Sequence, residues 1–406
     1  MLRTIGEVTR RRLPVVLLVA LVLAGPAGAG SSPLANRLAK ALAVPHVAGA
    51  RTAAVAFDLQ TGQTLFAKHE GLLLAPASNE KLAVTYAALV GLGTAYRIET
   101  DVMGRGQQNG AVWHGHLLLV GHGDPTLSSA DLAALAVQVR AAGITRVTGA
   151  VFGDETFFDA RRTAPGWRAS YYLNESPPLS ALTVDRGRYR GRISRNPALA
   201  AALGFRDALR RAGVAVAGAG LGEERGGEVP LAVVDSAPLS EIVRYMDRHS
   251  DNFTAELMLK QLGAIENEVG TSAGGDAYAR RTLAEAGVPL AGVRLADGSG
   301  LSLLDRLTVR ALAAILRAAW ADQEVRPAFV AALPVAGISG TLSERMRSPP
   351  ARGNVQAKTG TTYRASALSG YVRGRFVFSV LQNGNPVSSF WARRAQDRFA
   401  TALAAQ

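Results

Sequence analysis

A chain of 406 residues, 48% of them apolar, is long enough for two or three domains with sizeable cores, which excludes wholesale disorder. The absence of cysteine excludes disulfide frameworks, thiolate metal sites and a cysteine nucleophile, and only six histidines argue against a histidine-rich metal centre. The formal charge of +13 is carried almost wholly by arginine. Of 45 basic residues only Lys40, Lys68, Lys81, Lys260 and Lys358 are lysines, and a lysine, unlike an arginine, can give up its proton when buried.

In chain order, residues 1–29 read as an export signal. Arg10-Arg11-Arg12 precede an uncharged run from Leu13 to Ala24, and Gly25-Pro26-Ala27-Gly28-Ala29 offers a cleavage site after Ala29. The apolar run is short for a membrane span, and Thr9-Arg10-Arg11 also admits twin-arginine export. The leader holds four arginines and one glutamate, so the remainder carries +10. A basic protein exported to the periplasm or cell envelope favours an anionic wall polymer or a membrane surface. Its arginines are scattered and no aromatic-rich basic stripe is present, which argues against nucleic acid.

A helix is predicted over Leu34 to Leu42, then a hairpin of Thr52 to Leu59 and Gln63 to Ala67 around Thr61-Gly62, then a helix from Asn79 to about Val90. Strands are predicted at Leu117 to Val120, Val147 to Phe152 and Ala181 to Val184, with helices at Asp131 to Ala142 and Pro197 to Ala212. The Gly- and Glu-rich stretch Ala217 to Pro230 reads as a surface linker. Four more helices are predicted, at Leu239 to Ser250, Thr254 to Leu262, Gly274 to Ala286 and Val309 to Ala319. A second hairpin, Ala367 to Val372 and Phe376 to Leu381 around Arg373-Gly374, and a helix over Phe390 to Ala404 close the chain. The expected organisation is an α/β (α+β) fold in which residues 30–98 and 238–406 share one antiparallel sheet flanked by helices, with 99–237 as one inserted α/β domain.

Three polar clusters can carry chemistry. In Ser78-Asn79-Glu80-Lys81 the serine and lysine are one helical turn apart, so the amine reaches the hydroxyl while the helix N-terminus favours a developing oxyanion. Glu80 projects to another face and reads as a first-turn acid favoured by the dipole. Ser250-Asp251-Asn252 lies between two helices, where such a triplet is commonly a turn or cap. Functionally, Ser250 can relay a proton and Asn252 can orient Lys81 and a substrate amide. His249 reads as packing or capping, because adjacency does not make a triad. Lys358-Thr359-Gly360-Thr361 opens a strand whose edge can dock an extended peptide, and a second ammonium there, together with burial, would depress the Lys81 pKa.

The ordered set S-x-x-K, S-x-N and K-T-G resembles the penicillin-binding protein and serine β-lactamase superfamily. Gly121-His122-Gly123-Asp124-Pro125-Thr126-Leu127, Asp297-Gly298-Ser299-Gly300-Leu301-Ser302, Ala336-Gly337-Ile338-Ser339-Gly340-Thr341-Leu342 and Leu368-Ser369-Gly370-Tyr371 narrow the likeness. With Phe378-Ser379-Val380-Leu381-Gln382-Asn383-Gly384 they are similar to the D-alanyl-D-alanine carboxypeptidase/endopeptidase family, the DacB-like, low-molecular-weight class C penicillin-binding proteins of peptidase family S13. The resemblance implies a transpeptidase-like fold with Ser78 as acylated nucleophile and Lys81 as its base, and with Ser250 and Asn252 completing proton transfer and orientation. It further implies that Lys358, Thr359 and Thr361 hold a substrate carboxylate, with Gly360 between them, and that the N–H groups of Ser78 and Thr361 form an oxyanion hole. The partners implied are peptidoglycan stem peptides and, as covalent inhibitors, β-lactams; no metal or organic cofactor is implied.

Two features depart from the family pattern. Val184-Asp185-Arg186-Gly187 runs almost directly to Asn196-Pro197-Ala198-Leu199, which leaves room for one inserted domain and not two. Leu303 stands where relatives often place Arg, so stem peptides with diaminopimelate, ornithine or lysine at the third position are equally admissible. Alternative readings of the same fold are a non-catalytic wall-binding homologue and a β-lactamase or esterase. His114, His116 and His122 read as surface or packing residues and not as a zinc site. Trp113, Trp167, Tyr171 and Tyr172 read as core or interdomain packing, and Arg186 to Arg195 as a solvated face.

Overall fold

The structure, a computed structural model, describes residues 32–406; the proposed leader lies outside the described residues. The chain opens with helix α1 (Pro33–Leu42), whose Ser32 cap accepts from Ala35 N, followed by strands β1 (Thr52–Asp58) and β2 (Thr64–Lys68). A 3₁₀ turn, Ala77–Glu80, leads into helix α2 (Lys81–Leu92). The α-helix therefore begins two residues later than its sequence pattern predicts, and Ser78 sits in the tighter turn that precedes it. In that turn residues i and i+3 eclipse, so Ser78 and Lys81 still share a face.

Next come β3 (Glu99–Asn109), β4 (Val112–Gly121), α3 (Ser129–Ala141), β5 (Arg146–Val147), β6 (Ala150–Asp154), β7 (Arg188–Tyr189), β8 (Arg192–Ile193), α4 (Pro197–Arg211), β9 (Gly218–Leu221) and β10 (Val229–Asp235). Five of these strands run in the order β10-β3-β4-β6-β9, with β5 beside β4. The β3 pairings are antiparallel and those of β6 are parallel, a mixed sheet. Leu132, Leu135 and Val139 of α3 and Phe205 and Leu209 of α4 pack with Leu117, Leu119 and Val151 of the sheet to form its core. The chain leaves and returns side by side, since Ser236 N donates to Ile98 O at 2.9 Å and Ile98 N to Ser236 Oγ at 2.9 Å.

Two expectations fail here. Ala181 to Val184 is buried but not a strand: Ser180 Oγ bonds both N–H and C=O of Leu182, and Thr183 Oγ1 donates to Ser180 O. These hydroxyls close local turns, which compete with ladder pairing. The supposed linker Ala217 to Pro230 contains β9 and the start of β10, so Gly218 and Gly220 lie on a sheet edge.

The chain then forms α5 (Leu239–His249), α6 (Asn252–Ala264), α7 (Ser272–Glu285), α8 (Val309–Ala321), α9 (Arg326–Ala332), β11 (Val355–Thr361), β12 (Ala365–Val372), β13 (Phe376–Asn383) and α10 (Ser389–Ala404). These last three strands join the first two in a five-stranded sheet, β11-β12-β13-β1-β2, antiparallel throughout. The β12–β13 turn has positive φ at Arg373 (53°) and Gly374 (60°), as a tight hairpin of right-handed twist requires. Both faces of the sheet are covered, which is why β12 and β13 are buried along their whole length. Phe378 and Val380 meet Leu38 of α1 and Phe399 and Leu403 of α10, whereas Val377 and Leu381 meet the core of α2 and α8. The architecture is the expected α/β one, with β11 left at the edge beside the α2 N-terminus.

Candidate active site

The three polar clusters converge. Lys81 Nζ donates to Ser78 Oγ at 3.1 Å, to Asn252 Oδ1 at 2.9 Å and to Ser299 O at 2.7 Å. Lys358 Nζ donates to Ser250 Oγ at 2.9 Å and to Thr359 O at 2.9 Å. Both lysines are fully buried, whereas Ser78, Ser250 and Asn252 are partly open to solvent and Thr361 is exposed at the end of β11. Thr359 shares a 2.7 Å hydroxyl contact with Thr341, so the A-G-I-S-G-T-L segment braces the K-T-G strand.

Local backbone geometry forces Ser78 into this position. Ala77 adopts a φ of 48°, a left-handed conformation that costs an L-residue about 1 kcal/mol or more. Two glycines make room for the turn. A Cβ on Gly300 (φ 81°) would lie 1.9 Å from Ala77 O, and one on Gly360 would lie 3.0 Å from Ser78 N. The turn is also tied to β13, because Asn383 accepts from Ala75 N at 2.8 Å and donates to Ala75 O at 3.0 Å. Asn79 Nδ2 donates to Lys358 O at 3.0 Å, which fixes β11 against the turn.

Burial lowers the Lys81 pKa, against the pull of the carboxylates of Asp297, Asp247, Asp251 and Glu256. Burial also pushes Lys358 down, to about 7, with the Lys81 charge as the next cause and Asp247 opposing. The ammonium–ammonium effect thus bears on Lys358, and desolvation, not the second ammonium, depresses Lys81. Asp247 of α5 faces both lysines. Burial raises its pKa to about 6, although Lys358, a 2.7 Å bond from Thr85 Oγ1 and Lys81 all lower it.

The environment of Glu80 corrects its reading as a first-turn acid favoured by the helix dipole. It is fully buried, neither carboxyl oxygen has a hydrogen-bond partner, and burial with the nearby Asp297, Asp276 and Glu256 raises its pKa well above the ordinary value. Glu256, raised to about 8 by burial and Asp297, accepts from Ser299 N at 2.9 Å. Asp297 accepts from Gly300 N at 2.7 Å, Ser302 N at 2.8 Å and Ser299 Oγ at 3.0 Å, which shapes the D-G-S-G-L-S loop that presents Ser299 O to Lys81.

Residues 99–237 reach into the site. Arg186, read from sequence as part of a solvated face, grips Asp251 with two hydrogen bonds, 2.8 and 3.2 Å, and lies 5.1 Å over the Phe253 ring. Asp251 in turn caps α6 through Thr254 N at 2.8 Å. Glu175 O accepts from Asn252 Nδ2 at 3.1 Å, which turns the amide so that Oδ1 faces Lys81. Trp167 Nε1 donates to Asp297 at 2.7 Å, and the buried Lys260 pairs with Asp159. Sequence reasoning missed Arg186, Glu175, Asp247 and Lys260; only the scarcity of lysine pointed toward the last.

The other candidates have structural places. His249 bonds Tyr245 O at 3.1 Å and stacks on its ring. His116 accepts from Ala150 N at 3.0 Å, His122 lies 3.5 Å from Asp101, and Trp113 is buried in the second core. Among the described residues no group of three or more His, Asp and Glu side chains is arranged to hold a metal ion. Leu303 is 38% exposed.

The family model described as "D-Ala-D-Ala carboxypeptidase 3 (S13) family" matches residues 34–198 and 188–406. The chain belongs to this family. It is a hydrolase of the peptidase class with a penicillin-binding-protein fold. It is 32% identical over 474 residues to a D-alanyl-D-alanine carboxypeptidase of an Actinomadura species, covering 94% of this chain and 87% of that one. It is 34% identical over 374 residues to a carboxypeptidase of Mycobacterium tuberculosis, covering 85% and 78%. Penicillin binding protein 4 of Haemophilus influenzae superposes with a TM-score of 0.78 at 20% identity, over 89% of this chain and 98% of that one, and has also been solved complexed with a β-lactam.

Proposed function

We propose that this protein is a penicillin-sensitive serine D-Ala-D-Ala carboxypeptidase and DD-endopeptidase that cuts peptidoglycan stem peptides through an acyl-enzyme on Ser78. The observation that carries the reading is the fully buried Lys81 amine, lowered in pKa, 3.1 Å from a hydroxyl that itself faces solvent. In its neutral form Lys81 accepts the Ser78 proton as Oγ bonds to the penultimate D-Ala carbonyl carbon. The N–H groups of Ser78 and Thr361 hold the resulting oxyanion. Lys358, Thr359 and Thr361 bind the terminal carboxylate, with Gly360 allowing close approach. Asn252 orients Lys81 and the scissile amide. The proton passes through Ser250 to the leaving nitrogen, the C–N bond breaks and D-Ala departs. Water then attacks the ester and returns the proton to Ser78.

A β-lactam presents a carboxylate and an amide of similar spacing and is expected to stop at the acyl stage. A β-lactamase would need a base for rapid deacylation, and Glu80, fully buried with neither carboxyl oxygen bonded and its pKa raised by that burial, is poorly placed to supply one. The separate sheets support dividing the chain into a catalytic unit, 30–98 and 238–406, and an inserted unit, 99–237. The pattern of residues 1–29 and the substrate class support export to the periplasm or cell envelope; no described helix is long and apolar enough to cross a membrane. Incubation with uncross-linked and cross-linked wall fragments tests the activity: D-Ala and separated stem peptides are the expected products. Intact fragments after full labelling by penicillin would leave a binding protein without peptidase turnover.

A further inference from the structure

Thr361 has a neighbour that the proposed reaction does not use. Arg393 of α10 donates from Nη2 to Thr361 Oγ1 at 3.3 Å. The same arginine lines a cavity of about 770 Å³ that runs along α10 toward α1, bordered by Arg37, Arg345, Arg394, Arg398 and Asp397. Five guanidinium groups there face one carboxylate, and that carboxylate is taken by Arg345 through bonds of 2.7 and 3.0 Å. Among the described residues no carboxylate pairs with Arg37, Arg393, Arg394 or Arg398, and the last three are exposed on α10. Phe390, 64% exposed, adds an apolar wall. A concave channel with four unneutralised guanidiniums beside an apolar wall suits an extended peptide bearing carboxylates, which arginine grips in bidentate fashion.

We infer that this groove receives the leaving chain of a cross-link. The inference rests on the proposed function, because the substrate carboxylate then lies at Thr361 and whatever continues beyond the scissile bond must pass Arg393. When D-Ala alone leaves, nothing extends past that point. When a cross-bridge is cut, a second stem peptide with its own carboxylates does, and the arginines neutralise it along its length. The groove therefore biases the enzyme toward cross-linked substrate.

Two experiments on the full-length protein test this. In the first, D-Ala release from a monomeric pentapeptide stem and cleavage of a cross-linked stem dimer are compared in wild type and in an Arg394→Gln/Arg398→Gln variant. The dimer-to-monomer ratio of kcat/KM is expected to fall about tenfold, the upper scale for two exposed charge contacts, and to fall also at high salt. An unchanged ratio overturns the inference. In the second, Ser78→Ala protein, which needs no turnover, is titrated with a carboxylate-bearing acceptor tetrapeptide, its amidated form and inorganic polyphosphate. Tightest binding of the free acid, lost in Arg394→Gln/Arg398→Gln, supports it. Equal binding of acid and amide, or polyphosphate binding above the peptide, overturns it and in the latter case makes the groove a polyanion site. Failure of the enzyme to turn over either stem would count against the catalytic reading and leave this titration decisive for the groove.

Discussion

At the scale of single residues, the proposed mechanism gives two buried lysines opposite tasks. In the proposed mechanism Lys81 acts without its proton, so kcat/KM for a free-acid substrate should rise with pH as its ammonium is lost. Lys358, in the same mechanism, acts with its proton, and with its pKa pushed to about 7 it should lose charge above that pH, together with its attraction for the carboxylate. The profile is expected to be bell-shaped, with an alkaline limb near 7. Arginine keeps its charge at every working pH, so Lys358→Arg should abolish that limb even if the rate is lower throughout. An unaltered alkaline limb in that variant would separate Lys358 from carboxylate binding. In Lys81→Arg no usable base remains, and acylation should fall by roughly 10²–10⁴-fold, measured by the rate of labelling with a fluorescent penicillin. Ser78, Lys81, Ser250, Asn252 and Lys358 were legible in the sequence because each stands in a short ordered motif. The state of Glu80 was not, because its burial is tertiary and the carboxylates that add to its raised pKa, Asp297, Asp276 and Glu256, come from distant parts of the chain.

At the scale of elements, the S-D-N triplet is held by Arg186, from the segment between the two halves of the five-stranded sheet. Arg186 is about one-third exposed and Asp251 mostly covered, so their pair is expected to contribute on the order of 1 kcal/mol to stability. The larger effect should be on geometry. Arg186→Gln releases the Asp251 carboxylate that caps α6 next to Asn252, and β-lactam acylation is expected to slow by about tenfold or more. Asp251→Asn should do the same, and the double variant should be no worse than either single one, because the two side chains act as one clamp. Strictly additive losses in acylation would show that the pair does not set Asn252. Helices and hairpins with regular apolar spacing, such as α1, α10 and β12–β13, were readable within a residue or two. β3 was missed because its outer half, Arg105–Asn109, carries polar and glycine residues, and Ala181 to Val184 was misread because its apolar side chains are buried in a hydroxyl-tied loop.

At the scale of the whole molecule, the chain leaves its five-stranded sheet after α2, builds a second, mixed sheet, and returns to finish the first. Residues 99–237 are tied to the rest of the chain beside the candidate site by Arg186–Asp251, Lys260–Asp159, Trp167–Asp297 and Glu175–Asn252. The proposed insertion therefore forms part of the candidate site's wall. Sequence distance concealed this, since each contact joins residues more than sixty positions apart and no local pattern announces it. The proposed leader belongs to the same scale: protein recovered from outside the cytoplasm is expected to begin at Gly30, and an intact-mass measurement that retains residues 1–29 would contradict cleavage after Ala29.

The most direct measurement is intact-protein and peptide mass spectrometry after exposure to penicillin. Wild type should gain one acyl adduct, on the peptide carrying Ser78, and Ser78→Ala should gain none. An adduct on any other residue, or undiminished labelling of Ser78→Ala, would contradict the assignment of Ser78 as the nucleophile.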